Sequence, residues 1–290
     1  MRQSAKAQHK GKDSAPPVRT AATFNIMKKY SFIGVGNMAS AIIRGMESNA
    51  PTGLYDKNKA QLEKFSGERF TAFDTLSGAV EFADYIVLSV KPQNFEEVLS
   101  EIKSSGIDLS SKTFISIAAG ITIDFITSRI GNVACVRTMP NTPLMIGKGV
   151  TAITRNELVD NGTFEEIKAL FAGVGAVITM PESDLNPIIS VTSSSPAYVY
   201  LFIKALSDGA KMQGLDYDNM TELVCKMLIG SAEMVLQSGK TPDELIRMVT
   251  SPNGTTERAM NVLYKEGFEK MLQDAMVECT KRAYELSEGK

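Results

Sequence analysis

The segment from Phe32 to Ala39 reads Phe-Ile-Gly-Val-Gly-Asn-Met-Ala and has the spacing of a phosphate-binding turn. It follows a short apolar run and precedes a helical pattern, which is the strand, turn and helix of a dinucleotide-binding unit. Gly34 permits the tight turn, Gly36 lets the backbone approach a pyrophosphate, and Ala39 is small enough for the helix to pack on the strand. The phosphates would bind the free N–H groups at the helix start. The sequence therefore predicts dinucleotide binding here.

An acidic residue, Asp56, ends the second predicted strand, about twenty residues after Gly36. A carboxylate at this place hydrogen-bonds the adenosine ribose hydroxyls and favours NAD over NADP. An equally good interpretation is that Asp56 caps a helix starting at Lys57. Because Lys57 and Lys59 are also placed to meet a 2′-phosphate, the choice between NAD and NADP stays open.

Three further strand ends carry unusual motifs where the cofactor cleft of a doubly wound sheet is expected. They are Ser-Val-Lys-Pro-Gln at 89–93, Ser-Ile-Ala-Ala-Gly at 116–120 and Arg-Thr-Met-Pro-Asn-Thr-Pro at 137–143. The small residues of the second motif leave space for a ring. Each motif alone is compatible with an ordinary loop, but together they outline a site.

Two polar segments later in the chain precede apolar helices. They read Thr-Ser-Ser-Ser-Pro-Ala-Tyr at 192–198 and Thr-Ser-Pro-Asn-Gly-Thr-Thr at 250–256. Each is compatible with a simple helix cap or with a carboxylate bound by free N–H groups. For the second segment we favour binding, because it has more small and polar residues than capping needs.

The elements that must position these motifs alternate between strand and helix from residue 29 to about 180. This alternation is typical of an α/β fold with a Rossmann-like doubly wound sheet. The predicted strands are 29–34, 53–56, 70–72, 85–90, 112–117, 133–137, 149–154 and 176–179, and the predicted helices are 37–47, 58–66, 76–83, 94–104, 122–129 and 161–173.

From Glu182 onwards only helical periodicity remains, with breaks at Gly214, 239–242 and 251–254. We therefore predict a dinucleotide-binding domain at 27–181 and an all-α domain at 182–290. The helices of the second domain are rich in Met, Leu and Ala, and some of this apolar surface is expected to form a core shared with a second subunit.

The composition argues against several classes of function. The chain has 290 residues, a formal net charge of −2 and a pI of about 5.7, and it has no basic stripe for nucleic acid. No apolar run approaches the roughly 18 residues of a membrane span. Cys135, Cys225 and Cys279 are far apart and form no CxxC motif, which favours reduced thiols in a cytoplasmic protein.

Residues 1–26 differ from the rest in being basic and poor in apolar residues, and we expect a disordered tail. The tail lacks the apolar stretch of a signal peptide and only faintly resembles a transit peptide. We favour an added leader or an upstream start, with Met27 as the natural beginning. The only histidine is His9. A disordered tail leaves no histidine in the folded part, which excludes histidine acid–base catalysis, Ser-His-Asp triads and His-ligated metal sites.

Taken together, the motifs resemble those of pyrroline-5-carboxylate reductase. In chain order they read GVGNMASAIIRG, SVKPQ, SIAAGITI, RTMPNTP, SPAYVYLFIKAL and VTSPNGTTERAMNVL, and they extend over nearly the whole chain from Met27. The resemblance implies reduction of the cyclic imine Δ1-pyrroline-5-carboxylate to proline with NADPH or NADH, the last step of proline biosynthesis. It also implies a homodimer with interleaved helical domains, often built into larger rings.

The resemblance further implies the site residues. Cofactor contacts would fall on Ile33, Gly34, Gly36, Asn37, Met38, Ser89, Val90, Lys91, Pro92, Ala118 and Ala119, and substrate contacts on Ser251, Gly254, Thr255 and Thr256. Since an imine is easier to protonate than a carbonyl oxygen, no strong acid is required. We expect the Thr256 hydroxyl, or a water that it holds, beside the imine nitrogen. The protein would contribute mainly by positioning the reactants.

The sequence departs from the family pattern at a few positions. Ser193 and Ser195 replace the glycines of the usual Ser-Gly-Ser-Gly-Pro, and Asn253 replaces the glycine after Ser-Pro. Leu76 stands where many members carry an Asn that touches the adenosine ribose. The first two changes are expected to affect loop shape and substrate affinity, and the third to weaken one cofactor contact.

Two alternatives remain. A β-hydroxyacid dehydrogenase or a related NAD(P)-dependent imine reductase has a similar layout, but the Gly-x-x-Gly-x-Gly-x-x-x-Asn-x-x-Lys motif of the former does not occur. A non-catalytic paralogue that binds a dinucleotide as a sensor or accessory protein is compatible with the serine-for-glycine changes. The presence of Thr255 and Thr256 argues against it.

Overall fold

The computed structural model describes residues 27–46 and 49–287. The predictions for residues 1–26, including the tail, the leader and His9, lie outside the described residues.

Eight strands form one sheet in the first half of the chain. They are β1 Tyr30–Ile33, β2 Thr52–Tyr55, β3 Phe70–Ala72, β4 Tyr85–Leu88, β5 Thr113–Ser116, β6 Ala134–Met139, β7 Gly149–Arg155 and β8 Gly175–Thr179. Their order is β3-β2-β1-β4-β5-β6-β7-β8. The direction in which successive strands are added to the sheet reverses between β1 and β4. Open α/β sheets bind ligands at such a topological switch point. All eight predicted strands are confirmed to within a few residues.

The register aligns the strand ends that carry the motifs. Ile33, the last residue of β1, pairs with Tyr55 at the end of β2 and with Leu88 at the end of β4. All neighbouring strands are parallel except β6 and β7. These two are antiparallel because residues 140–148 between them are too few for a parallel crossover, which takes roughly a dozen residues or more.

Helices cover both faces of the sheet. The bounds are α1 Asn37–Gly45, α2 Leu76–Phe82, α3 Phe95–Ser104, α4 Ile123–Ile130 and α5 Asn161–Ala172, with short 3₁₀ segments at Lys59–Lys64, Pro92–Asn94, Thr142–Ile146 and Glu182–Asp184. Successive side chains of a strand point to opposite faces. Phe32 therefore packs in a first core cluster with α1 and α5, and Ile33 in a second with α2, α3 and α4. The predicted Rossmann-like fold is confirmed.

The rest of the chain is helical, as predicted. A π-helical turn, Ile189–Ser193, is followed by α6 Ser195–Met212, α7 Met220–Gln237, α8 Pro242–Val249, α9 Thr255–Lys265 and α10 Phe268–Ser287. Two helices, and not one, follow the polar segment at 250–256. Gly267 has a φ of 70° and divides α9 from α10, because a left-handed residue cannot continue a right-handed helix.

The helical part has almost no core within one chain. None of the residues of α6, α7, α8 and α9 is buried, and in α10 only Ala283 is. Ala283 packs against Met139 and Ala152 of the sheet and Ile189 of the π-helical turn, which joins the end of α10 to the first domain. Across the described ranges, every helix is too short or too polar to cross a membrane.

Candidate active site

The two glycines of the turn after β1 have different structural roles. Gly34 has a φ of 91°, which side chains disfavour, and a Cβ there would lie 3.0 Å from the backbone carbonyl of Ser89. Gly36 has a φ of −71°, and a Cβ there would meet no atom within 4 Å. The turn itself therefore requires Gly34, whereas Gly36 faces open space at the start of α1.

The start of α1 has N–H groups available for an anion. Gly36 is the N-cap residue and, having no side chain, makes no capping hydrogen bond. The first N–H groups of a helix lack partners within the helix and carry the positive end of its dipole. The open space before Gly36 and these N–H groups together fit a pyrophosphate.

Asp56 holds the turn in place. Its Oδ2 accepts a hydrogen bond from the backbone N–H of Val35 at 2.7 Å, and its Oδ1 accepts one from the N–H of Asn58 at 2.8 Å. The predicted helix start at Lys57 is wrong, because the 3₁₀ segment begins at Lys59 and Asn58 is its cap. Asp56 thus has a role that neither sequence interpretation included, and its carboxylate still borders the cleft described next.

A cleft of about 430 Å³ opens at the switch point between β1 and β4. Six of the predicted cofactor residues line it: Gly34, Gly36, Asp56, Ser89, Val90 and Lys91. The lining also includes Tyr55, Gln93, Asn94 and Val98, for which no cofactor contact was predicted. Tyr55 could have been found from its place at the end of a predicted strand beside Asp56. Val98 could not, since it resembles any apolar position of an amphipathic helix.

Ser89 joins the end of β4 to the turn. Its hydroxyl donates to the carbonyl of Gly34 at 2.5 Å and lies 3.1 Å from that of Ile33. The side chain of Ile33 is fully buried in the second core cluster. Ile33 is therefore able to meet a cofactor only through its backbone.

The remaining predicted cofactor residues do not line this cleft. Asn37 is exposed and lines a separate pocket of about 290 Å³. Met38 packs against the first core cluster and Ala118 is buried in the second. Pro92 is half-buried and begins a 3₁₀ segment, and Ala119 packs against the cluster that contains Ala283.

The two lysines considered for a 2′-phosphate have acidic partners. Lys57 Nζ lies 2.7 Å from Glu97, and Lys59 Nζ lies 2.8 Å from Asp74. The hydrogen bond to Glu97 raises the pKa of Lys57, and the hydrogen bond from Lys59 lowers the pKa of Asp74. These pairs are exposed and contribute little stability, so they leave Lys57 free to exchange partners at the cleft.

The predicted substrate segment is the start of α9. Gly254 is the N-cap and makes no side-chain capping bond, so Thr255 and Thr256 are the first two residues of the helix. Neither threonine is the cap, and among the described residues neither hydroxyl takes part in a hydrogen bond. Both hydroxyls and the first N–H groups of α9 are thus available for a ligand.

The loop before α9 has an unusual backbone. Asn253 has a φ of 58° and is the one non-glycine residue in the described ranges with a positive φ. Its N–H donates to Glu257 Oε2 at 2.9 Å, one turn into α9. Asn is among the residues that tolerate the left-handed region, so the departure from glycine is accommodated.

The start of α9 does not bond to the cleft within one chain. In the described residues, apart from the bonds within α9 itself, the hydrogen bonds made by 250–258 all stay between Ile246 and Arg258. The helix itself packs on α10.

The serine-rich segment meets the strand-end motif at 137–143. Ser193 Oγ lies 3.3 Å from the carbonyl of Pro140, and the Asn141 side chain donates to the carbonyl of Thr192 at 2.9 Å. Ser195 Oγ donates to the carbonyl of Ser190 at 2.7 Å. Each serine that replaces a glycine thus has a hydrogen-bond acceptor, Ser193 in the strand-end motif and Ser195 within its own segment.

Leu76 is part of the core. Its side chain is 1% exposed and lies in the second core cluster, at the start of α2. An apolar residue suits this environment, and the side chain does not reach the cleft surface.

Comparison with known proteins gives two family matches. The family model for pyrroline-5-carboxylate reductase dimerisation matches residues 182–286, and that for coenzyme F420-dependent NADP oxidoreductase matches residues 29–120. The pyrroline-5-carboxylate reductase of Escherichia coli is 35% identical over 273 residues, covering 90% of this chain and 99% of the relative.

Solved structures agree with this. The Plasmodium falciparum pyrroline carboxylate reductase with NADP bound superposes with a TM-score of 0.81 and 27% identity, covering 90% of this chain and 98% of that one. The Streptococcus pyogenes 1-pyrroline-5-carboxylate reductase does so with a TM-score of 0.83 and 28% identity, covering 89% and 98%.

Proposed function

This chain belongs to the pyrroline-5-carboxylate reductase family, and from that membership we propose how its residues carry out the reaction. The chain is an NAD(P)H-dependent oxidoreductase that reduces the C=N bond of Δ1-pyrroline-5-carboxylate to give proline, the last step of proline biosynthesis. The assignment of the cofactor end rests on one observation. The turn at Gly36 is open and uncapped, and it borders the cleft at the switch point.

The residues of the cleft fit a dinucleotide. The start of α1 would hold the pyrophosphate, with Gly36 leaving room for it. Asp56 lies on the β2 side, where the adenosine ribose is expected, so the nicotinamide half extends toward β4 and β5. When bound, the reduced nicotinamide supplies the hydride.

The substrate end is the start of α9. Its free N–H groups and the Thr255 hydroxyl would hold the carboxylate, and Thr256 would place its hydroxyl, or a water, beside the imine nitrogen. In our proposal Ser251 and Gly254 shape this segment, since a Cβ on Gly254 would lie 2.9 Å from the carbonyl oxygen of Ser251. The described residues contain no histidine, which is compatible with a reaction that requires no strong acid.

We further propose that two copies of the chain are needed for a complete site. The helical part lacks a core of its own, and Leu201, Met212 and Leu236 are 67%, 88% and 83% exposed. A homodimer through residues 182–286 would bury these side chains, in agreement with the match to the dimerisation family. It would also bring the start of α9 from one copy toward the cleft of the other.

The proposal also includes a cytoplasmic location and use of either NADPH or NADH. All three cysteines are unpaired, and burial raises the pKa of the Cys135 thiol, which keeps it unreactive. For the cofactor, Asp56 at the cleft favours NADH and Lys57 favours NADPH.

The test is a kinetic assay of the purified chain with NADPH and with NADH. We expect saturable oxidation of at least one of them with Δ1-pyrroline-5-carboxylate, and formation of proline in equal amount. Activity with a hydroxyacid or its keto acid instead would favour the dehydrogenase alternative. Dinucleotide binding without turnover of either substrate would identify a non-catalytic binding protein.

A further inference from the structure

Arg137 is a fully buried cation to which the reaction assigns no part. It lies in β6, and its side chain is 2% exposed. One guanidinium nitrogen lies 3.3 Å from Glu182 Oε1, and another donates to Asn186 Oδ1 at 2.6 Å. Burial lowers the pKa of Arg137 and Glu182 opposes that shift. An arginine nevertheless stays charged, so its two partners are held firmly.

The first partner connects Arg137 to the start of α4. The same oxygen of Glu182 accepts a hydrogen bond from the backbone N–H of Ile123 at 2.8 Å. Ile123 is the first residue of α4 and closely follows the loop Ala118–Gly120 after β5. Arg137 therefore fixes the carboxyl end of this loop through Glu182.

The second partner connects Arg137 to the end of α10. Asn186 Nδ2 donates to Ser287 Oγ at 2.9 Å, at the last residue of that helix. The same helix end lies against the loop, because a Cβ on Gly120 would come within 2.9 Å of Leu286 Cβ. Asn186 therefore anchors the end of α10, against which the loop packs.

The amino-terminal end of the loop is also tied to β6. Thr138, next to Arg137, donates its hydroxyl to the carbonyl of Ser116 at 3.0 Å, and the Ala118 N–H lies 3.3 Å from Ser116 Oγ. Both ends of the loop, and the end of α10 against which it packs, are thus held by Arg137 and Thr138, two neighbouring residues of β6.

We propose that Arg137 is a positioning residue that sets the Ala118–Gly120 loop against the nicotinamide half of the cofactor. This rests on the proposed function only in taking the cofactor to be a dinucleotide. The loop follows β5, on the side of the switch point opposite Asp56. A displaced loop therefore changes the nicotinamide end and leaves the adenosine end unchanged.

The experiment compares two ligands by calorimetry: NADPH, and 2′-phospho-ADP-ribose, which lacks the nicotinamide. In Arg137→Met we expect the ratio of the Kd for NADPH to the Kd for the fragment to rise about fivefold or more. The change in nicotinamide fluorescence on NADPH binding should also be lost. Neither readout depends on imine reduction, so failure of the enzymatic assay would leave this test intact.

The matched control is Lys112→Met. Lys112 is another buried cation, and it directly precedes β5. It donates to the carbonyls of Glu81 and Ala83, at the edge of the sheet opposite to the Ala118–Gly120 loop. Its loss should lower the Tm, as the loss of Arg137 is also expected to do, without changing the ligand ratio. An Arg137→Met protein whose ratio and fluorescence match those of Lys112→Met would overturn the proposal.

Two milder substitutions keep the proposal testable if Arg137→Met does not fold. Ser287→Ala removes one hydrogen bond of Asn186, and it should raise the ratio in the same direction by a smaller factor. Glu182→Gln keeps an acceptor for the Ile123 N–H and should disturb the ratio less than Glu182→Ala. Equal ratios in wild type, Ser287→Ala and Glu182→Ala would contradict the proposal.

Discussion

The carboxylate of Asp56 accepts a hydrogen bond from the backbone N–H of Val35, with an oxygen–nitrogen distance of 2.7 Å. Val35 lies between the two glycines of the turn. The acid at the end of β2 therefore holds the turn proposed to bind phosphate and also borders the cleft. Substitutions at this position are expected to affect two properties of the cofactor site that can be measured separately.

Asp56→Asn should shift the cofactor preference toward NADPH. The amide oxygen is still able to accept from Val35, so the turn is retained, while the negative charge that would repel a 2′-phosphate is removed. We expect the ratio of kcat/KM for NADPH to kcat/KM for NADH to rise about tenfold. Asp56→Ala is the control, because it removes both hydrogen bonds and should weaken both cofactors. Weakening of both by Asp56→Asn would show that the turn needs the full carboxylate, through its charge or through the second oxygen, which accepts from the Asn58 N–H.

Gly36→Val should abolish tight cofactor binding while preserving the fold. A Cβ at this position meets no protein atom within 4 Å, so the new side chain would extend into the space proposed for the pyrophosphate. The Kd for NADPH should rise at least tenfold, about 1.4 kcal/mol or more. Gly34→Ala provides the contrast, since its φ of 91° and the close Ser89 carbonyl should lower the Tm. Unchanged NADPH binding by folded Gly36→Val would place the phosphates elsewhere.

Thr256→Val should reduce turnover more than stability. Thr256 is the second residue of α9 and not its cap, so removal of its hydroxyl leaves the helix intact. If the hydroxyl orients or protonates the imine nitrogen, kcat should fall about 10–100-fold, or about 1.4–2.7 kcal/mol, with little change in Tm. Thr255→Val should instead raise the KM for the imine. Full kcat in Thr256→Val would leave bound water as the proton source.

Substitutions at Asn253 should separate backbone shape from side-chain chemistry. Asn253→Gly keeps the left-handed conformation, so KM and kcat should stay within about twofold of wild type. Asn253→Val should cost about 1–2 kcal/mol of stability and raise the KM for the imine, since a β-branched residue disfavours a φ of 58°. A large loss of activity in Asn253→Gly would assign the side chain a direct role with the substrate.

The smallest stable species should be a homodimer. Helices with so many exposed Leu and Met side chains do not persist in water as a monomer. Light scattering at micromolar concentration should give a mass of at least twice that of the 31.5 kDa chain. Leu201→Glu should weaken association, whereas Ile178→Glu, exposed on the edge strand β8, should not. A monodisperse, active monomer would contradict this prediction.

The sequence by itself determined the fold class and the position of the glycine turn after β1. Local patterns were sufficient there, because alternating strands and helices predict a doubly wound sheet and Gly34 and Gly36 lie next to each other in the chain. Of the three strand-end motifs, the one at 89–93 contributes Ser89, Val90, Lys91 and Gln93 to the lining of the cleft, whereas those at 116–120 and 137–143 contribute none.

The tertiary structure alone decided which distant residues meet. Asp56 reaches Val35, and Arg137 reaches Glu182 and Asn186, through contacts between residues far apart in the chain that no local pattern encodes. The fold likewise decided the place of Leu76, which stands where many family members carry a ribose-binding Asn and which lies here in the core. The reason is physical: periodicity shows which face of an element is apolar, but pairing between elements depends on packing of the whole sheet and its helices.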